Sequence, residues 1–380
     1  MTSDRGSLLV TSELRARWNT NGELLVPGRV DRLADPFPRS LAIRAYGDRP
    51  PVVDIDVIDL PVHQVAMSAP FDLLLSIPRM LAGVRRAGAV WVVSPGVVAG
   101  AATVLAVLAR RPIVMNVVGD PSEAGRRGVT IHPLRSLARV VMPAVQRFGC
   151  RHANVVRYVA SNPLQSRYPP GRECRTFVLS NVQVASVQPP REHLPSGTFR
   201  LVTVGSLEQP YKGVEGLLEA MALLTGGDLE FSLTVVGGGR LKSHLRTRAE
   251  ELAPGRVQFV GQIEPEVVQG LLREHDAFVL ASFTEGLPRA MIEAMAQGLP
   301  CVGTAVGGVP DLLPPRWMCA PRDAVGLATL IRQVFESDEE YVAASQHAVD
   351  IASKYSADAL HTVLQDFHSA VWHLLGGSGE

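Results

Sequence analysis

Residues Ala281–Leu313 read ASFTEGLPRAMIEAMAQGLPCVGTAVGGVPDLL. The stretch follows Ala277–Leu280, a short apolar run of strand length, and Glu285-Gly286-Leu287 then form a loop. Pro288 suits the first turn of a helix running to Gln297, Gly298 suits its C-terminal cap, and Pro300 lies just beyond. Pro300–Thr304 is the next strand. Strand, loop, helix and strand in this order make a βαβ unit of a parallel sheet. Glu285 then sits in the loop at the strand's C-terminal edge, and Glu293 lies about one and a half turns inside the helix. Backbone N–H groups at Gly286, Leu287 and the helix start face the same crevice, where they and the macrodipole favour phosphate. A carboxylate repels phosphate, so two of them beside such a site need another ligand group. A vicinal diol, with two hydroxyl donors for one carboxylate, is such a group. The pair therefore suits a nucleotide sugar, with ribose at one glutamate and hexose at the other. The plainer alternative is an exposed loop glutamate and an ordinary helix-face glutamate.

The alternation continues on both sides. Strands are predicted at Leu201–Val204, Phe231–Val236 and Val257–Val260, and helices at Gly213–Leu224, Leu241–Leu252 and Pro265–His275. The first half repeats the pattern less regularly. Its strand candidates are Leu8–Thr11, Ser40–Ile43, Val90–Val93, Ile113–Val117, Val155–Val159 and Thr176–Leu179. Its helix candidates lie near Asp31 and at Pro70–Arg86, Val97–Ala109 and Pro133–Arg147. Right-handed crossovers place all strand C-termini of such a sheet on one edge, where ligands bind. The 380 residues fit two domains. Val184–Gly197, with three prolines and no period, reads as the linker, and Ala357–Leu375 as a long amphipathic helix.

Two further loops bear on the chemistry. Gly205-Ser-Leu-Glu-Gln-Pro-Tyr-Lys212-Gly213 follows the first strand of the second half and opens a helix. Its lysine is one of three in the chain, and a lysine in a glycine-bracketed loop reaches phosphate as a point charge. Gly237-Gly238-Gly239 follows the next strand without completing a G-x-G-x-x-G fingerprint, because position 242 is Lys.

Together these motifs resemble the family-4-type retaining glycosyltransferases of the GT-B fold. Their E-x7-E signature is matched by Glu285 and Glu293, and GSLEQPYKG, VVGGG and FVGQIEPEVVQGLL follow in the family's order. SPG near Ser94, VVGDP near Asp120, RYVASNPLQSRYP and LSNVQV resemble the acceptor-side domain. The resemblance implies an α/β fold of two Rossmann-like domains whose parallel sheets face a central crevice. Residues 1–185, joined by the helix 357–375, would form the acceptor-side domain, and 198–356 the domain for the nucleotide sugar. It implies that Glu293 holds the ribose diol and Glu285 meets the transferred sugar. Lys212 would neutralise the departing diphosphate. Gly286, Leu287, Ser206, Gly237 and Gly119 would line the nucleotide sugar, Ile263 would meet the base, and Asp120 would join Glu285 and Lys212 at the reaction centre. Ser206 stands where many relatives have arginine, and Val118-Gly119-Asp120 where many have histidine. The N-terminal glycine-rich loop is assigned to Asn19-Thr20-Asn21-Gly22. The implied reaction moves a hexose from a UDP- or GDP-sugar to a small-molecule or lipid-linked acceptor hydroxyl, with retention. An epimerase or sugar phosphorylase of the same fold, or an inactive binding module, are the other readings.

Composition narrows the classes. Lys plus Arg and Asp plus Glu are both 37, so the formal net charge is zero, against the basic excess of a nucleic-acid binder. No D-x-D stands beside the phosphate loops, so no metal and no cofactor are expected. The four cysteines, Cys150, Cys174, Cys301 and Cys319, form neither a zinc spacing nor a disulfide scaffold, as in a reducing cytoplasm. The first ten residues lack the apolar core of a signal peptide. Ala87–Ala109 is uncharged over 23 residues, but Ser94-Pro95-Gly96 interrupts it, so a strand and a buried helix are expected rather than a span. Arg126–Arg157 holds seven arginines and no acid, a basic face suited to the anionic inner surface of a membrane. A cytoplasmic protein is the resulting expectation, the basic stretch reading either as a peripheral contact with the membrane, as a solvated face or as a contact to an acidic acceptor.

Overall fold

The computed structural model describes residues 6–18, 24–25, 36–37, 39–46, 62–66, 72–124, 135–160 and 164–376. The helix expected near Asp31 and the Asn19–Gly22 loop lie outside them. The chain forms two compact units. The first takes the described residues up to Ser122, then Leu137–Asn181, and finally the chain from Thr362 onward; the second is built on Val182–His361.

The first unit carries β1 (Leu8–Trp18), β2 (Leu24–Leu25), β3 (Arg39–Tyr46), β4 (Val62–Ala66), α1 (Asp72–Arg86), β5 (Ala89–Ser94), α2 (Val97–Leu108) and β6 (Ile113–Val117). It continues with α3 (Pro121–Ala124), α4 (Arg135–His152), β7 (Val155–Tyr158), α5 (Leu164–Arg167) and β8 (Arg175–Val178). The strands line up as β4-β3-β1-β5-β6-β7-β8, all parallel, with β2 antiparallel on β1. Strands covered on both faces must be apolar throughout, and Val90, Trp91, Val92, Val114 and Val156 are accordingly buried. The uncharged Ala87–Ala109 stretch resolves into β5 and α2, as its central Ser-Pro-Gly implies. Among the described residues no helix is long and apolar enough to cross a membrane.

The second unit carries β9 (Phe199–Val204), α6 (Val214–Leu224), β10 (Phe231–Val236), α7 (Lys242–Leu252), β11 (Val257–Gly261), α8 (Pro265–Arg273), β12 (Ala277–Leu280), α9 (Arg289–Met295) and β13 (Cys301–Thr304). It ends with β14 (Met318–Cys319), α10 (Ala324–Val334) and α11 (Asp338–Ser353). Its sheet runs β11-β10-β9-β12-β13-β14, parallel throughout. This is the 3-2-1-4-5-6 order of a Rossmann sheet, whose direction of winding reverses between β9 and β12. The last helix, α12 (Ala357–Leu374), returns to the first unit. There Phe367 stands edge-on to Trp91 (centroids 5.5 Å) and to Phe177 (5.4 Å), and Trp372 meets Phe37 at 4.9 Å.

The proline-rich Val184–Gly197 stretch is not a free tether. Val184 N–H donates to the Tyr355 carbonyl, Gln188 N–H to that of Ala296, and Arg191 N–H to Ser345 Oγ. Leu194 N–H likewise donates to Asp338 of the second unit at 2.5 Å.

Candidate functional site

The Rossmann order locates the site within the second unit. Ligands bind beyond the strand C-termini where the winding reverses. Here that point lies past Val204 of β9 and Leu280 of β12, where the loops 205–213 and 281–288 begin. From the first loop Lys212 Nζ donates to Glu285 Oε1 of the second at 2.7 Å, and the two side chains are only 18% and 9% exposed. At that burial the pair is poorly screened and each charge depends on the other. Ser282 Oγ–H donates to the same Oε1 at 2.6 Å. Ser282 is itself fully buried, and its carbonyl accepts the hydroxyl of Thr304 on β13. Two donors thus converge on one carboxylate oxygen of Glu285.

Close backbone approach shapes the rest. A Cβ at Gly237 would stand 1.9 Å from the Gly205 carbonyl oxygen, and one at Gly307 1.8 Å from that of Glu285. Both loops can pack this closely only because glycine occupies these positions, Gly307 with φ +52°. The stem of Lys212 passes over Gly205, whose added Cβ would meet its Cδ and Cε at 3.1 Å. Gly308 N–H donates to the Gly286 carbonyl at 2.7 Å, holding the 281–288 loop to the loop after β13. The N–H groups of Gly286 and Leu287 have no protein acceptor among the described residues, and both residues are half-exposed. In the 205–213 loop the Gln209 side-chain carbonyl is buried without a hydrogen-bond partner.

Glu293 lies on α9, with Oε1 3.6 Å from the Arg289 guanidinium one turn earlier. Burial pushes its carboxyl above the ordinary glutamate range, against the pull of Arg289. Ser206 is exposed, and its hydroxyl accepts the Glu208 N–H. Ile263 packs half-buried on the core beside Gln262, whose Cβ lies 3.4 Å from where a Gly238 side chain would begin. So Lys212, Glu285, Gly286, Leu287, Gly237, Ser206 and Ile263 all lie in loops past the strand C-termini of the second unit, and Glu293 lies on the helix that follows one of them.

Gly119 and Asp120 belong to the first unit, in the loop past β6. Gly119 offers its carbonyl to Gln146 Nε2 at 3.1 Å, and Gln146 Oε1 accepts Ser94 Oγ–H at 2.6 Å. Asp120 is buried and accepts from the Tyr168 hydroxyl, the Ser122 N–H at 2.8 Å and the Arg167 guanidinium. Burial works to raise its carboxyl, but these hydrogen bonds outweigh it and leave Asp120 below the usual carboxylate range.

The basic stretch needs one correction. Arg126 and Arg127 lie outside the described residues, and Arg157 is not on a surface at all. It is fully buried on β7, donating Nε–H to the Leu179 carbonyl at 2.7 Å and its other nitrogens to Asn116 and Asn181. A guanidinium carries five donors, and this one is used to tie three segments of the first unit together. Among the described residues no three His, Cys, Asp or Glu side chains converge as a metal site would need.

Ser282 is the site residue that the sequence reading missed. Its signal was present: a hydroxyl three residues before the loop glutamate, at the end of a buried strand.

Residues 198–337 match the family described as "Glycosyl transferases group 1". The chain is 26% identical over 254 residues to Protein CapJ of Staphylococcus aureus, covering 66% of this chain and 63% of that protein. It is 31% identical over 154 residues to the amylovoran biosynthesis glycosyltransferase AmsK of Erwinia amylovora, covering 38% of each. The matches thus span only part of these relatives' length. Among solved structures, sucrose-phosphate synthase from Thermosynechococcus elongatus superposes with a TM-score of 0.69 at 15% identity, over 97% of this chain and 99% of that one. HepE from Anabaena, solved with UDP-glucose, gives 0.66 at 18% identity, over 96% and 99%.

Proposed function

Because residues 198–337 match the group 1 glycosyl transferases and the chain has the GT-B fold, we propose that it transfers a hexose from a UDP- or GDP-sugar to an acceptor hydroxyl, with retention at the anomeric carbon. The observation that carries this reading is the sheltered Lys212–Glu285 pair at the winding reversal of a Rossmann sheet. HepE, solved with UDP-glucose, and AmsK, named for amylovoran biosynthesis, support a nucleotide sugar and a product among glycans, glycolipids or glycosylated natural products.

In this reading the free N–H groups of Gly286 and Leu287 receive phosphate and sugar oxygens. The diphosphate competes with Glu285 for Lys212 and gains a full countercharge as the bond to the sugar breaks. Charge that develops only then makes Lys212 stabilise the transition state more than the bound substrate. Glu285, still held through Oε1 by Ser282, turns to the sugar hydroxyls. Glu293 accepts the ribose diol through its carboxylate. Asp120 and Gly119 keep the roles that the resemblance implies, in catalysis and toward the nucleotide sugar, and the acceptor is a small molecule or lipid-linked. Nucleic acid has no part in the reading. A cytoplasmic enzyme in peripheral contact with anionic lipid completes it.

The test is to incubate the protein with UDP- and GDP-hexoses, with and without candidate acceptor glycans. Nucleoside diphosphate release that depends on acceptor, with the starting anomeric configuration kept in the product NMR spectrum, is expected. Because Lys212 supplies the positive charge, this turnover is expected to survive EDTA. Free sugar isomer without acceptor would indicate an epimerase. Release driven by inorganic phosphate would indicate a phosphorylase, and loss with EDTA restored by Mg²⁺ would overturn metal independence.

A further inference from the structure

Parallel α/β topology gathers helix C-termini at the edge of the sheet opposite the ligand loops. In the first unit α1 ends in Arg85-Arg86, α4 ends in Arg151-His152, and α2 runs into Arg110-Arg111. Between the end of α2 and the start of β6 lies an open cleft of about 270 Å³, lined by Arg110, Arg111, His152 and Asn154 together with Val107, Pro112 and Ile113. Cations near helix C-termini are ordinary, since each end carries about half a negative charge. Three such ends amount to about one and a half negative charges, fewer than the five arginines that face them.

The arginines here also lack acids. None of Arg85, Arg86, Arg110, Arg111 and Arg151 is ion-paired among the described residues. In the second unit Arg200, Arg248, Arg256 and Arg289 each have a carboxylate partner. Among the described residues this edge therefore carries five arginines with no carboxylate partner. Its loop 172–175 adds Arg172 and Arg175 and one carboxylate, Glu173.

The backbone singles out Arg110. α2 closes with Arg110 N–H donating to the Val107 carbonyl and Arg111 N–H to that of Ala106. That is a Schellman close, and its left-handed position normally takes glycine. Here it is arginine, with φ +52°. Among the described residues the one other non-glycine at positive φ is Arg322, at +69°. Asn154 is preset as well: its Oδ1 accepts the Ile113 N–H at 2.9 Å, which fixes the amide and leaves its NH₂ a donor without a protein acceptor among the described residues. His152 Nδ1 is held by the Phe148 carbonyl at 2.8 Å.

We infer that this cleft is an anion site for a phosphate group, separate from the nucleotide-sugar site and on the opposite edge of the sheet type that forms it. Arg110 and Arg111 supply charge, and Asn154 supplies a neutral donor. The volume suits one phosphate or a small phosphate ester rather than an extended chain. The same chemistry is offered by a free phosphate ester and by a monoester lipid headgroup, and the experiment separates them.

Inorganic phosphate is titrated by calorimetry into the wild-type protein, Arg110→Gly, His152→Gln and Lys212→Ala, and each protein is tested for flotation with phosphatidylcholine vesicles with and without phosphatidic acid. Glycine suits the left-handed position, so Arg110→Gly is expected to melt no lower than wild type while binding phosphate roughly tenfold more weakly. Lys212→Ala is expected to keep this binding event, which sets it apart from any phosphate held at the nucleotide-sugar site. Flotation that needs phosphatidic acid and is lost in Arg110→Gly would support the same site with a lipid headgroup as its ligand. Equal phosphate affinity in wild type, Arg110→Gly and His152→Gln overturns the inference, as does loss of the event in Lys212→Ala alone. Absence of both phosphate and vesicle binding in the wild type overturns it too.

Discussion

Glu293 and Lys212 are sheltered charges with opposite circumstances. Burial holds the Glu293 carboxyl toward its neutral form, so at neutral pH its ionisation opposes folding. The proposed ribose contact needs the ionised form. Glu293→Gln should therefore weaken UDP or GDP binding by one or two charge-assisted hydrogen bonds, roughly tenfold or more. The same variant should melt no lower than wild type at pH 7. A group whose folded pKa is raised opposes folding above that pKa and ceases to do so as pH falls through it. Any melting advantage of Glu293→Gln should accordingly shrink on acidification, which a pair of thermal melts would show. Lys212 is held by Glu285 already, so its removal strands a buried carboxylate. Lys212→Ala is expected to lower turnover by about a hundredfold or more and sugar-nucleotide KM far less, the pattern of an interaction made mainly in the transition state. Full turnover would remove Lys212 from the chemistry. Lys212 was legible in sequence because it stands in a glycine-bracketed loop, and Glu293 because Pro288 and Gly298 bracket its helix. Ser282 was not, because a serine beside a strand end has many ordinary uses, and only the 2.6 Å approach to Glu285 distinguishes this one.

Elements were legible where burial on both faces imposes apolar runs. β10, β12 and β6 coincide with the expected residues, and α6, α7 and α8 agree at their starts to within a residue. Two kinds of element escaped. β4, VHQVA, is too short and polar to stand out, and is completed by its neighbour β3. α11, DEEYVAASQHAVDIAS, is polar over much of its surface, yet its start was readable: Ser337 caps the Glu340 N–H, a serine followed three places on by glutamate. The site depends on loops that touch through backbone alone. Gly307→Ala would drive a Cβ into the Glu285 carbonyl at 1.8 Å, so the 281–288 loop must retreat. The variant is expected to lose most nucleotide affinity in calorimetric titration while its far-UV circular dichroism stays native. Native affinity would mean that the loop is free to shift without consequence.

The chain divides into two compact units. The first unit borrows part of its core from the far end of the chain, since fully buried Phe367 packs on Trp91 and Phe177. Phe367→Ala should cost that unit about 3–5 kcal/mol. On a unit of this size the lower of two calorimetric transitions should fall by on the order of 10 °C. The other transition, and the response to UDP, should be unaffected; a single merged shift would show that the units melt as one. The second unit is entered and left by neighbouring strands of chain: Val184 bridges Ser356, and its N–H donates to the Tyr355 carbonyl at 3.0 Å. That arrangement has an evolutionary reading. A cassette whose two ends lie side by side can be lifted out and replaced through two nearby joints, without lengthening or stretching the host that receives it. Lineages can then exchange the specificity carried by the cassette while leaving the host's own partners untouched, and a protein engineer can place the same two cuts.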